Sequence, residues 1–266
     1  MNCSLTTLFK DVRQWIILRE MGYFDDQSGI LRRYRRERDG WDAHLQRTRD
    51  FALQAAAKAE RHDSAIVLGS GWLLDVPLKE LSAMFGKVTL VDVRHPFSVR
   101  CQARKLGNVE LQTCDISGFA MPVYRYVRKY RNKRQPPVPN IIQPQGRLEL
   151  SGYDFVFSCN LLSQLDILLT DYLLRFFRFD EATVITFLRE VQRLHIESLP
   201  KQRSCLVTDF EEKTYAANGV ELGRKPLVYH PIIGRTDACR WRWLFDSAMT
   251  YYPDKKTSFE VLAVEL

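Results

Sequence analysis

The chain has 266 residues, 45% of them hydrophobic and 27% charged, enough apolar content to bury one large core or a core with an appendage, so it reads as globular. Its 39 Lys and Arg outnumber 32 Asp and Glu for a formal net charge of +7, an excess that suits a polyanionic partner, an anionic cofactor or simply a soluble surface. Six cysteines stand singly, at Cys3, Cys101, Cys114, Cys159, Cys205 and Cys239, with no Cys-x-x-Cys pair, which argues against a zinc site or a disulfide framework and for reduced cysteines in a cytosolic setting.

In chain order, "MNCSLTTLFKDVRQW" reaches Lys10, Asp11 and Arg13 before any apolar stretch of signal-peptide length, and no later segment is apolar enough to span a bilayer. The expectation is a cytoplasmic protein with no membrane partner. Leu5, Leu8, Phe9, Val12, Trp15, Ile16 and Leu18 recur at spacings of three and four, which predicts an amphipathic helix from Leu5 to about Gly22. A second helical run is expected over roughly Ser28 to Arg61, interrupted near Gly40.

The period then changes. "AIVLG" (Ala65 to Gly69), "VTLVD" (Val88 to Asp92), "VELQT" (Val109 to Thr113), "YDFVFS" (Tyr153 to Ser158) and "SCLVTDF" (Ser204 to Phe210) are short β-branched or aromatic runs, most of which read as strands buried on both faces. Helix-sized intervals separate them, two beginning at Pro77 and Pro96, the latter ending at Gly107. Strand and helix in alternation predict an α/β fold with a parallel sheet covered on both sides.

"SAIVLGSGWLLD", Ser64 to Asp75, runs a strand into Gly-x-Gly. Glycine at both positions lets backbone approach a ligand where a Cβ would block it or the turn. About twenty residues on, the second strand ends at Asp92, where such folds place a carboxylate that takes both ribose hydroxyls. The two features together point to a nucleoside. A dinucleotide would need a third glycine where Leu74 stands, and a helix starting closer to the turn than Pro77. A cofactor without phosphates fits better.

The order of "VLGSG", "VTLVDV", "LQTCDISG", "YDFVFSCNLLSQL" and "SCLVTDFEE" resembles the five motifs of the class I, Rossmann-like S-adenosylmethionine-dependent methyltransferases, over about Ala65 to Leu266. The resemblance implies a doubly wound, mostly parallel seven-stranded sheet closed by an antiparallel C-terminal hairpin, with "CRWRWLFDS" and "SFEVLAVEL" as its strands. It implies a helical cap over residues 1–62, a methyltransferase domain over 63–266 and a basic insertion at about 121–150. By the same resemblance S-adenosylmethionine is the cofactor. Gly69, Ser70 and Gly71 would line its methionine part, and Asp92, with Val93 beside it, would hold the ribose. Asp115 and Ile116 would meet the adenine, and Asn160 would sit beside the amino-acid end and the methyl group.

The chain departs from the family where an acidic residue and a third glycine are usual; Leu68 and Leu73 stand there, and Asp75 is the nearest substitute carboxylate. "NLLSQL" carries neither the Asn-Pro-Pro-aromatic signature of amino-methylating nucleic-acid enzymes nor a Pro-Cys pair, which argues against a nucleophilic Cys159. Asp92, Asp115 and Asn160 each suit a helix cap as well as a ligand. His95, His195 and His230 read as surface or satisfied histidines, and Trp241 and Trp243 as core residues of a strand with one buried face. "RRYRRER" at Arg32 to Arg38 and "YRYVRKYRNKRQPPVP" from Tyr124 offer phosphate contacts and base stacking, against the alternatives of a solvated helix and a proline-rich loop or a lid. The expected activity is methyl transfer by direct displacement to a small molecule, with no general base assignable. The alternatives are a nucleic-acid methyltransferase bound through 32–38 and 124–134, or an inactive methyltransferase-like binding protein. A nicotinamide-dependent oxidoreductase is disfavoured by Leu74 and the lack of a Tyr-x-x-x-Lys pair.

Overall fold

The computed structural model describes residues 14–234 and 238–266. Of the expected first helix, residues 5–13 lie outside the described residues, and 14–20 are helical and form α1. The second helical run is two helices, α2 (Tyr23–Arg36) and α3 (Arg38–Ala56), which divide at Glu37 rather than Gly40. The reason is tertiary. The Glu37 carboxylate accepts from the backbone N–H groups of Ser247 and Ala248 and from the Ser247 hydroxyl, which anchors the break. Gly40 lies inside α3, where an added Cβ would come within 2.8 Å of the Leu244 carbonyl oxygen, so glycine there sets how closely α3 packs on the sheet.

The strands fall where the apolar runs predict: β1 (Ser64–Leu68), β2 (Lys87–Asp92), β3 (Val109–Thr113), β4 (Phe155–Cys159) and β5 (Ser204–Tyr215). Between them stand α4 (Leu78–Met84), α5 (Phe97–Leu106), α6 (Ala120–Tyr130), α7 (Ile167–Leu174) and α8 (Glu181–Ser198). Pro77 and Pro96 are the N-caps of α4 and α5, and Gly107 ends α5 at φ 80°. β7 (Cys239–Asp246) and β8 (Lys256–Glu265) form the expected antiparallel pair, and the strand order is β3-β2-β1-β4-β5-β8-β7. The first five are parallel, and β8 is antiparallel to both β5 and β7.

Two details differ from expectation. The sheet has an eighth strand, β6 (Glu221–Pro226), paired to the outer half of β5; every residue in it is exposed, so its sequence carries no apolar alternation to reveal it. β3 is an edge strand with exposed Glu110, Gln112 and Thr113 rather than one buried on both faces. The other parallel strands are almost wholly buried. One core cluster joins Trp41, Leu45 and Ala52 of α3 to Val67, Phe157, Trp243 and Phe259 of the sheet, so α3 and the sheet share an interior.

Candidate functional site

The strand order reverses at β1 and β4, and in open α/β sheets ligands bind beyond the carboxyl ends of the strands at such a point. A cavity of about 230 Å³ lies there, lined by residues that include Gly69, Gly71, Asp92, Val93, Asp115, Ile116 and Asn160. Of the eight residues singled out in the sequence, only Ser70 is absent from the lining: it is fully buried, with its hydroxyl unpartnered.

The turn after β1 is built from positive-φ residues, Gly69 at 81° and Gly71 at 45°. At Gly69 a Cβ would stand 2.9 Å from the Cys159 carbonyl oxygen, so the first glycine admits the neighbouring β4 strand end. At Gly71 a Cβ would meet no atom within 4 Å. There glycine leaves open the space beside Asp92, whose Oδ2 accepts from the Gly71 N–H at 2.7 Å.

Asp92 is also held from above. Gln27 of α2, itself buried, donates through Nε2 to Asp92 Oδ1 at 3.1 Å and to the Arg94 carbonyl at 2.9 Å, while the Trp72 indole N–H donates to the Gln27 carbonyl at 2.7 Å. Desolvation raises the Asp92 pKa, partly offset by the Gly71 N–H. Asp115 meets local donors with both oxygens: Oδ1 takes the Ser117 N–H and hydroxyl, and Oδ2 takes the N–H of Ala120, the first residue of α6. Asp115 thus satisfies the first N–H of α6 without being its N-cap, which is Phe119, and it also lines the cavity.

Asn160 follows β4 at φ 45° and caps no helix. Its Nδ2 donates to Asp75 Oδ2 at 2.6 Å and lies 3.3 Å from His44 Nε2, and its Oδ1 is buried with no partner. Asp75, from the extended turn, is thus brought beside Asn160, and burial raises its pKa. His44 of α3 stacks on Trp243 with ring centroids 4.0 Å apart and accepts from the Trp241 indole N–H at Nδ1, 3.1 Å away. An indole N–H only donates, so the neutral His44 ring carries its proton on Nε2. Burial lowers its pKa to about 3. His44 therefore has no free basic nitrogen, and its Nε2–H points at the Asn160 amide, where only the amide oxygen can accept it.

Sequence reasoning missed Gln27, Arg33, His44 and Trp72 as lining residues. For Gln27 and Arg33 a signal existed: Tyr23, Gln27, Ile30 and Arg33 fall on one helical stripe. Nothing in sequence marks His44, which reaches the site only because α3 packs on β7. His95 and His195 are buried and bonded to the Gln112 carbonyl and the Ser158 hydroxyl, and Trp241 and Trp243 are core residues as expected, though Trp243 also reaches the cavity. In the second basic stretch, Tyr126 is buried against Phe177 and Tyr124 stacks on Tyr172, while Arg125, Arg128 and Lys129 are exposed. Its first part belongs to α6, an amphipathic crossover helix with Tyr124 and Tyr126 turned toward the protein, and residues 131–138 are turn and loop.

No protein-family model matches the chain, and no curated protein matches its sequence. Similar solved structures include the 1,6-didemethyltoxoflavin-N1-methyltransferase of Burkholderia thailandensis with bound 1,6-didemethyltoxoflavin and S-adenosylhomocysteine, at 15% identity over 90% of this chain and 87% of that one, with a TM-score of 0.42. Coclaurine N-methyltransferase is 11% identical over 85% of this chain and 71% of that one, with a TM-score of 0.39. The 23S rRNA methyltransferase ErmE is 11% identical over 82% of this chain and 68% of that one, with a TM-score of 0.27. The class is defined by the topology itself: a Rossmann-like α/β sheet, mostly parallel and closed by an antiparallel pair, with its crevice at the switch point. That is the fold implied by the class I methyltransferase resemblance.

Proposed function

We propose that this chain is an S-adenosylmethionine-dependent methyltransferase acting on a small molecule. The observation that carries the reading is the meeting at one switch point of the positive-φ Gly69–Gly71 turn, the Asp92 carboxylate and the Asn160 amide. These residues fit the cofactor. Asp92 would take the ribose hydroxyls, Gly71 leaves the space beside it open, and Val93 and Ile116 supply apolar surface for adenine. Asp115 would meet the adenine amino group with lone pairs left over from its local bonds, and Asn160 with Asp75 would hold the amino-acid end.

When bound, the cofactor supplies a methyl group already activated on a sulfonium. What remains for the chain is to align an acceptor and exclude water, for which α2, lying over the cavity with Gln27 and Ile30, is placed. His44 is not a general base, because Trp241 occupies its basic nitrogen. A small molecule is favoured over nucleic acid by the roofed cavity and by the inward packing of Tyr124 and Tyr126.

A second reading, a methyltransferase-like binding protein without activity, is favoured by one contact: Gln27 already occupies the ribose carboxylate. Titration calorimetry with S-adenosylmethionine, S-adenosylhomocysteine and NADH separates the readings. The expected result is micromolar binding of the two sulfur ligands, weakened by about a hundredfold in Asp92→Ala through loss of two charged hydrogen bonds. Binding of NADH alone would move the assignment to an oxidoreductase. No binding of any of the three would leave the scaffold reading.

A further inference from the structure

The basic run at the end of α2 is not uniformly solvated. Arg36 pairs with Asp246 and Glu37, but Arg33 turns inward and lines the far part of the cavity. Its guanidinium lies over the rings of Phe245 and Tyr251, 4.6 and 4.9 Å from their centroids. Among the described residues it forms no ion pair and no side-chain hydrogen bond, and its Nε is buried with no acceptor. Asp26 and Asp246 act on it only through their fields, and burial lowers its pKa. An Arg resting against two aromatic rings with its fork unpaired is an arrangement suited to a carboxylate.

A second orphan lies in the same lining. Trp243, 6% exposed, has its indole Nε1 buried without a partner. Leaving two N–H donors unpaired costs desolvation, and such groups in a folded protein call for a missing acceptor. The same lining carries the aromatic rings of Trp41, Phe245, Tyr251 and Phe259, together with the Asp26 carboxylate. Gln27, which holds the ribose carboxylate, and Arg33 are six residues apart on α2, roughly 9 Å of helix axis. Arg33 therefore sits nearly two helical turns along α2 from the Asp92 end of the cavity.

We propose that Arg33 binds a carboxylate in an aromatic pocket that Trp243 also lines, and that the small molecule taken beside the cofactor is a planar aromatic acid. The word acceptor for that molecule rests on the methyltransferase reading; the pocket does not. The carboxylate is held at the far corner, so the ring, not the acid group, is presented toward Asn160.

The test is a titration of the full chain with 1-naphthoate and with 1-naphthamide, each with and without S-adenosylhomocysteine. The acid is expected to bind and the isosteric amide to bind about tenfold or more weakly. Arg33→Met abolishes the preference for the acid, and Arg33→Lys keeps part of it. Acid and amide binding equally to the unsubstituted chain would overturn the proposal, whatever the variants do. The cofactor's own carboxylate is the other source of the same chemistry. If Arg33→Met weakened S-adenosylhomocysteine but not 5′-methylthioadenosine, which lacks the amino-acid part, Arg33 would belong to the cofactor and the proposal would fail. Absence of S-adenosylhomocysteine binding with acid preference intact would sink the methyltransferase reading and leave the pocket standing.

Discussion

His44 shows how a single side chain's chemistry is set by its neighbours. Its ring is buried, stacked on Trp243, and takes the Trp241 proton at Nδ1, with a pKa lowered from 6.5 to about 3. The folded state therefore binds fewer protons than the unfolded chain between those values. The stability linked to the neutral ring is complete above about pH 6.5 and is lost as pH falls towards 3. Relative to His44→Gln, the chain is expected to lose at most about 1.4 kcal/mol per pH unit in that window, read from urea midpoints at pH 7, 6, 5 and 4.5. A parallel pH dependence in the two proteins would show that His44 takes up its proton in the fold as readily as in the unfolded chain. Asp92 and Asp115 illustrate the opposite side of residue-level reading. The strand end predicts a ligand carboxylate at Asp92 and the family resemblance implies one at Asp115, yet Asp92 bonds Gln27 of α2 and Asp115 accepts the first N–H of α6.

At the scale of elements, α2 is the part whose role the pattern leaves open. Its stripe of Tyr23, Gln27, Ile30 and Arg33 roofs the cavity, and Gln27 latches it to Asp92. A cavity of about 230 Å³ lies below the roughly 300–1,000 Å³ usual for small-molecule sites. Cofactor entry then requires the latch to yield its bond to Asp92. Gln27→Ala is expected to tighten S-adenosylhomocysteine about threefold to tenfold, the value of one hydrogen bond no longer broken on binding; weaker binding in calorimetry would mean that Gln27 instead holds the bound nucleoside. β1 to β5 and the helices α4 and α5 were legible because the strands are short apolar runs and the helix ends carry Pro77, Pro96 and Gly107; α6 was not, its stretch reading as a basic insertion. β6 was not, because an exposed strand held by backbone pairing alone leaves no apolar signature.

Over the whole molecule, the site exists because α2 and α3 dock on the β7 and β8 side of the sheet while the motif loops emerge from β1, β2 and β4. Two glycines report on that docking. Gly40→Ala places a Cβ 2.8 Å from the Leu244 carbonyl, and backbone cannot yield cheaply. The expected cost is about 1–3 kcal/mol, a fall in Tm of roughly 3–10 °C. Gly29→Ala, at a half-buried helix position with nothing within 4 Å of the added Cβ, is expected to stabilise by about 0.5–1 kcal/mol. Equal melting shifts of the same sign would show that α3 does not pack as described. By itself the sequence determined the α/β class, the parallel order of strands, the Gly69–Gly71 turn and the position of Asp92, because each follows from local period or from the backbone freedom of particular residues. Only the tertiary structure decided which groups face Asp92, Asn160 and Arg33. Those partners are brought in from α2, α3 and β7, far away in the chain, by burial of a common core, and no local pattern records which distant helix that core will draw over the sheet.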